Sequence, residues 1–388
     1  MHSEANWRRR RQSQSAGSAR AVSCEVEPTG DLSIVPLRYL QAEGQHARPA
    51  GIIHNVAWSF IGTVVFSVAQ WLVILILARL GNSTMVGQYA LGFAISTPVV
   101  LLASLSLRTV QVTESRRQFS FKDYLVLRLI CMIVAFCIIV SISTFCSPQN
   151  AVVLILIGLA KIFNNIGDIF FGLFQRHERM RNIALPLIIN GVITVLATLV
   201  LLELTKSIVG AAMGSVIGSA LGVIICCVLA AKLLRDYPET IVRSDSLHNG
   251  GVPDQAHRKI RSFAQLALVA LPLGFASVMT SLIAYLPQYF VGHHLGMAAL
   301  GIFAALGYII PAVNTVFTSV VQTMLPRMTR LYASGEGLVL GSLTVQLVLG
   351  SLGLGAAGTA VVAVLGKDAL QLTYGKIYAD YAGVLTVL

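Results

Sequence analysis

Apolar positions along the chain gather into long runs that short polar or charged segments separate. Nine runs cover residues 55–78, 85–107, 124–146, 151–174, 183–203, 208–231, 263–291, 297–325 and 338–365, and a tenth begins near residue 378. A helix needs about 20 apolar residues to cross a bilayer. Lipid offers no partner for backbone polar groups, so each run must be helical. The pattern predicts an all-α polytopic membrane protein with about ten transmembrane helices.

Composition supports this class and argues against nucleic acid as a partner. Charged residues make up 12% of the chain and apolar residues 55%, whereas a soluble domain carries about 25% charged residues. The mean hydropathy is +0.76. The net charge is +11, and the Lys and Arg residues that produce it lie between the apolar runs rather than on one face of a soluble domain. A membrane protein places its basic residues in this way.

Basic residues concentrate in the connections after the second, fourth, sixth and eighth runs. The first of these connections carries Arg108, Arg116, Arg117, Lys122 and Arg128. The alternate connections carry only Arg79, Lys206, Lys367 and Lys376. Connections rich in Lys and Arg stay in the cytoplasm. The charge pattern therefore predicts a cytoplasmic N-terminus.

Polar segments divide the chain into four parts. Residues 1–50 contain a basic run in a Ser-, Gln- and Ala-rich stretch, which predicts a disordered cytoplasmic tail. Residues 51–231 form an expected bundle of six helices. We expect residues 232–262 to form a flexible cytoplasmic linker. We expect residues 263–388 to form a second bundle of at least four helices. That second bundle is either smaller than the first or cut short.

The two expected bundles share a sequence pattern. The first contains Leu80-Gly81, Gly87, Tyr89-Ala90 and Pro98, and the second contains Leu295-Gly296, Gly301, Phe303-Ala304 and Pro311. An even number of spans separates the two stretches, so both copies run in the same direction. The pattern predicts a parallel repeat about an axis along the membrane normal.

The fourth apolar run carries a polar stripe. It consists of Lys161, Asn164, Asn165, Asp168 and Gln175. Lys161 and Asp168 are seven residues apart, which places them on one helix face about two turns apart. An ionisable residue in a span costs at least about 2.5 kcal/mol at the bilayer centre. The stripe either lines a hydrated cavity that binds a polar or anionic group, or bonds structurally to neighbouring helices.

Two arginines end apolar runs and are further candidates. Arg108 ends the second run, where it is either a topology anchor or a substrate contact. Arg79 ends the first run and breaks the charge bias. It is a candidate for substrate binding or for contact with lipid phosphate on the outer leaflet.

No motif points to an enzyme, a metal or a cofactor. The chain lacks a phosphate-binding GxxxxGKS loop, a nucleophile elbow, an HExxH motif and a close carboxylate pair. His293-His294 has no third ligand nearby, and the six cysteines form no CxxC. We therefore expect no enzyme activity, no metal site and no cofactor.

Several stretches together resemble a known family, the polysaccharide (O-antigen and exopolysaccharide) flippases of the multidrug, oligosaccharidyl-lipid and polysaccharide exporter superfamily. The resemblance covers about residues 52 to 388 and lies in residues 77–81, 87–90, 107–113, 161–168, Gly172, Gln175, 178–180, Tyr374-Gly375 and Tyr378.

This resemblance implies a helical transporter of two six-helix bundles around a central cavity. It implies alternating-access flipping of a lipid-linked oligosaccharide across the plasma (bacterial inner) membrane for surface polysaccharide or lipopolysaccharide biosynthesis. Substrate-binding candidates are Lys161, Arg79, Arg108, Asn164, Asn165 and Gln175, and the coupling candidate is Asp168. Membrane lipids, a polysaccharide polymerase and glycosyltransferases are the implied partners.

Two other functions stay open at this point. A multidrug or cation antiporter of the same superfamily would favour acidic residues in its cavity, whereas here Lys161 lies deepest. A membrane glycan polymerase or ligase would need a large outer loop with catalytic groups, and the outer connections here are short.

Overall fold

The computed structural model describes residues 49–113, 119–236, 255–308, 328, 331 and 337–387. Within these ranges the chain is helical and contains no strand, which confirms the all-α prediction. The helices are α1 Pro49–Leu80, α2 Ser83–Ser104, α3 Leu107–Thr113, α4 Phe121–Ser143, α5 Pro148–Arg176, α6 Arg181–Thr205, α7 Ile208–Asp236, α8 Gln255–His294, α9 Gly296–Gly307, α10 Gly337–Thr373, α11 Lys376–Ala379 and α12 Ala382–Val387.

Eight segments of the described residues are long and apolar enough to cross a membrane. They match the first seven predicted runs and the ninth, with α2 and α3 counted as one span. The eighth run begins as α9, and residues 309–325 lie outside the described residues. The tail at 1–50 also lies outside them, apart from the start of α1, as does most of the linker at 232–262. The division into two bundles stays a prediction.

Local signals fix where several helices begin. The side chain of Asn82 accepts a hydrogen bond from the Met85 amide at 2.8 Å, which caps α2. Ser120 and Asp123 form a reciprocal capping box at the start of α4. Pro148 occupies the first position of α5, where its missing amide proton costs nothing. These caps allow very short connections between antiparallel neighbours.

The second predicted span is broken near its end. Leu105 and Ser106 have φ values of 49° and 47°, a left-handed conformation that non-glycine residues rarely adopt. The helix stops at Ser104 and resumes at Leu107. The Ser106 hydroxyl lies 2.8 Å from the Ser277 hydroxyl of α8, which ties the break to a neighbouring helix.

Buried apolar side chains form two large clusters at opposite ends of the described bundle. One cluster includes Val153 and Ile157 of α5, with residues from the end of α1 and the start of α2. The other includes Ile169 and Phe174 of α5, with residues of α3 and the start of α4. The polar stripe at residues 161–168 lies between these two clusters. Apolar packing therefore encloses it from both ends.

Helices α2 and α9 approach each other through two glycines. A Cβ atom on Gly87 would lie 1.9 Å from the Met297 carbonyl oxygen, and one on Gly301 would lie 1.9 Å from the Ser83 carbonyl oxygen. Each glycine thus contacts the residue that lies four positions before the other glycine in the sequence. Gly87 and Gly301 are also equivalent positions in the sequence repeat. This reciprocal contact has the symmetry expected of a repeat, and only glycine permits it.

Substitution of Gly87 by alanine is expected to destabilise this crossing. The clashing atom is a backbone oxygen, which cannot yield as a flexible side chain would, so the helices must separate at a cost of about 1–3 kcal/mol. Thermal unfolding of the detergent-purified protein measures the effect. Gly353→Ala is the matched control, because a Cβ there meets nothing within 4 Å. Equal unfolding midpoints for the two variants would contradict the close approach.

Candidate functional site

One face of α5 lines a cavity of about 520 Å³. Lys161, Asn164, Asn165 and Asp168 all contribute to its wall, together with residues of α1, α2, α3, α6 and α7. The volume falls within the range of about 300–1,000 Å³ typical of small-molecule sites. The structure therefore brings four of the five residues of the predicted stripe to the wall of one cavity.

Asp168 lies between two arginines from different helices. Its Oδ1 is 2.9 Å from Nη1 of Arg108, and its Oδ2 is 3.5 Å from Nη2 of Arg128. Arg108 also donates from Nη2 to Oε1 of Gln175 at 3.1 Å. Two cations thus share one carboxylate. We call these three charged residues the Asp168 network.

The prediction that Arg128 belongs to a polar connection is wrong, because this residue lies inside α4. It is the eighth residue of α4 and its side chain is 0% exposed. Its Nη1 donates to the Ser104 carbonyl at 2.9 Å, a group that the break after α2 leaves without a helical partner. Apolar residues flank Arg128 on both sides, and that pattern is the signal that separates it from a loop cation.

Lys161 lies further along the same face and has no acidic partner. Its ammonium group sits 4.2 Å from the centre of the Phe93 ring, a cation–π distance. In the described part of the chain, no carboxylate lies within ion-pairing distance of it. Lys161 therefore lines the cavity without an acidic partner among the described residues.

Amide side chains hold the helices around Lys161 in place. Asn164 accepts a hydrogen bond from Asn190 of α6 at 2.7 Å and donates to Ser219 of α7 at 3.1 Å. Asn165 donates to the Lys161 carbonyl at 3.2 Å within α5. Asn164 thus uses both ends of its amide to join three helices, and it fixes the cavity wall.

Arg79 lies apart from the other predicted site residues. Its guanidinium group donates to the carbonyl oxygens of Leu372 and Thr373, at the end of α10. The last carbonyls of a helix lack internal partners and attract cations. Arg79 does not line the cavity described above. Its placement favours a structural role, and its predicted role in substrate binding has no geometric support.

A second cavity of about 500 Å³ adjoins the first. Its wall comes from α1, α2, α5, α6, α7, α8 and α9, and it is more apolar than the first. Lys161, Asn164, Phe66 and Ser219 line both cavities. Lys161 therefore lies at the boundary between a charged space and a largely aromatic one.

Solved structures show which fold this is. An inward-facing multidrug resistance MATE family transporter of the MOP superfamily matches with a TM-score of 0.54 and 13% identity, over 90% of this chain and 79% of the other. A MOP superfamily transporter from Pyrococcus furiosus matches with a TM-score of 0.51 and 12% identity, over 87% and 77% of the two chains. The chain is thus an all-helical membrane protein with the MOP transporter fold.

The sequence comparisons then show the family. A family model described as polysaccharide biosynthesis protein matches residues 52–332, and the chain belongs to that family. The capsular polysaccharide biosynthesis protein CapF of Staphylococcus aureus is 21% identical over 337 residues, which cover 87% of this chain and 81% of that protein. The resemblance drawn from the sequence is confirmed.

Removal of the Asp168 carboxylate is expected to destabilise the protein strongly. Asp168→Ala leaves the buried guanidinium of Arg128 without its anion, and breaking such a pair costs about 3–5 kcal/mol. We expect the lower end of this range, because Asp168 is 33% exposed. Thermal unfolding in detergent is the measurement.

Glu203→Ala is the matched control for this prediction. Glu203 pairs with Lys206 on the surface, where both side chains are well exposed. Such a pair contributes about 0–1 kcal/mol. Equal destabilisation by the two variants would show that the Asp168 network does not hold the helices together.

Proposed function

We propose that this chain moves a lipid-linked oligosaccharide from the inner to the outer face of the plasma membrane. The main support is the charge of the first cavity, whose lining includes two cations, Lys161 and Arg108, and one carboxylate, Asp168. A cavity with excess positive charge suits the pyrophosphate that joins glycan to lipid. The family's association with polysaccharide biosynthesis supports the same substrate class.

Alternating access is the proposed mechanism. The cavity takes up the charged headgroup while the lipid tail stays in the bilayer, and the two bundles then rock to expose the cavity on the other side. The cytoplasmic N-terminus is part of the proposal and rests on the charge bias of the connections. The plasma (bacterial inner) membrane is also part of it and rests on that bias together with the family. A polysaccharide polymerase and glycosyltransferases are the proposed partners.

Asp168 is the proposed coupling residue. Its carboxylate now neutralises Arg108 at 2.9 Å. Binding of a proton or a cation to this carboxylate would release the guanidinium group of Arg108 to a substrate phosphate. Departure of the proton or cation would restore the pair and expel the phosphate. Substrate release and ion movement would then be linked through one residue.

An antiporter of cationic drugs is the second candidate, because the MATE transporters share the fold. A cationic drug needs a carboxylate that is free to pair with it. The Asp168 carboxylate in the first cavity already pairs with two arginines, and Lys161 would repel a cationic substrate. The charges therefore favour the anionic substrate.

A membrane glycan polymerase or ligase is the third candidate. On the proposed orientation, the described outer connections are residues 81–82, 144–147, 206–207, 295 and 374–375. These segments are too short to carry a catalytic domain. The described part of the chain therefore favours transport over an enzyme reaction.

Substitution of Lys161 by alanine is expected to slow translocation of a fluorescent lipid-pyrophosphate oligosaccharide in proteoliposomes. Loss of a charged hydrogen bond worth about 1.5–3 kcal/mol predicts a fall of about ten- to a hundredfold. Lys161→Arg keeps the charge and is expected to retain part of the activity.

Lys206→Ala is the control for this assay, because it removes a surface lysine that pairs with Glu203. It is expected to transport at the normal rate. Normal transport by Lys161→Ala would contradict the role of Lys161. Export of a cationic dye in place of the oligosaccharide would support the antiporter.

A further inference from the structure

The second cavity differs in chemistry from the first. Six aromatic rings line its wall and come from α1, α2, α8 and α9 with its C-cap residue: Phe66, Tyr89, Phe93, Tyr285, Phe303 and Tyr308. Among the described residues that line it, Lys161 at its edge is the only one with a charged side chain. A space of this kind does not suit a second charged group. It suits a neutral ligand with flat, partly apolar faces.

Two glutamines add unused hydrogen-bonding capacity to this wall. The Oε1 atom of Gln288 in α8 is buried and has no hydrogen-bond partner. The side chain of Gln70 in α1 makes no hydrogen bond with any described residue either. A buried acceptor without a partner is costly, so it points to a ligand that donates to it. Hydroxyl groups are such donors.

Flat apolar faces edged by hydroxyl groups are the chemistry of a sugar ring. Aromatic side chains cover the C–H faces of the ring, and amides bond its hydroxyls. The volume of about 500 Å³ falls within the range of ligand sites. The mostly apolar wall, with Lys161 only at its edge, suits a sugar better than a pyrophosphate, for which we propose the adjoining cavity.

We propose that the second cavity is a sugar subsite, which binds the glycan while the first cavity binds the pyrophosphate. Lys161 lies at the boundary, where the two parts of the ligand join. This proposal rests on the proposed function and deepens it, because it names the residues that contact the glycan. Gln288 and Gln70 are the hydrogen-bonding residues of the subsite.

Binding of two matched probes to the purified full chain tests the subsite. The first probe is farnesyl pyrophosphate. The second is the same molecule with one sugar attached, prepared separately with glucose, galactose and N-acetylhexosamine. We expect at least one sugar to tighten binding about tenfold. We expect Gln288→Ala to abolish most of that gain and to leave the affinity for farnesyl pyrophosphate unchanged.

Gln88→Ala is the matched control, because Gln88 bonds Asn150 at 2.9 Å and lines neither cavity. It is expected to leave both affinities unchanged. Gln70→Ala is a second test on a different helix, should Gln288→Ala fail to fold. A loss confined to the sugar-bearing probes supports the subsite.

Two results would overturn the subsite and leave the proposed function intact. One is an unaltered chain that binds all probes equally. The other is a glutamine variant that weakens all probes to the same degree. An unaltered chain that binds none of the probes would overturn the proposed function and the subsite together.

Discussion

The carboxylate of Asp168 is the interaction on which the described architecture depends. It pairs with Arg108 of α3 and Arg128 of α4, and so joins three helices through one charged group. Arg128 is fully buried, and a buried guanidinium without a paired anion strongly destabilises a fold. The same guanidinium caps the carbonyl that the break after Ser104 exposes. Without this carboxylate, the guanidinium that caps the break would be a buried charge without its anion.

The cavities follow from this arrangement. The break turns Arg108 towards Asp168, and the amide of Asn164 keeps α5, α6 and α7 in register beside it. Lys161 then remains as a cation without a carboxylate partner, between a charged space and an aromatic one. One helix face thus provides both the structural charge pair and the free charge.

Hydrophobic patterning was sufficient to predict the helices, and the helical period was sufficient to predict the stripe of α5. Arg128 was missed because a cation near the start of a run looks like a topology signal. The break at Leu105 and Ser106 carries no glycine or proline, so tertiary contacts decide it. The partner of Arg79 lies almost 300 residues further along the chain. The second cavity draws on seven helices, and no local pattern relates them.

The central claim is that the cavity at Lys161 selects an anion. The most direct measurement is calorimetric titration of the purified protein with farnesyl pyrophosphate and, separately, with the organic cation tetraphenylphosphonium. We predict binding of farnesyl pyrophosphate, weakened at least about tenfold by Lys161→Ala, and no binding of the cation. Binding of the cation in place of the pyrophosphate would contradict the account and point to an exporter of cations.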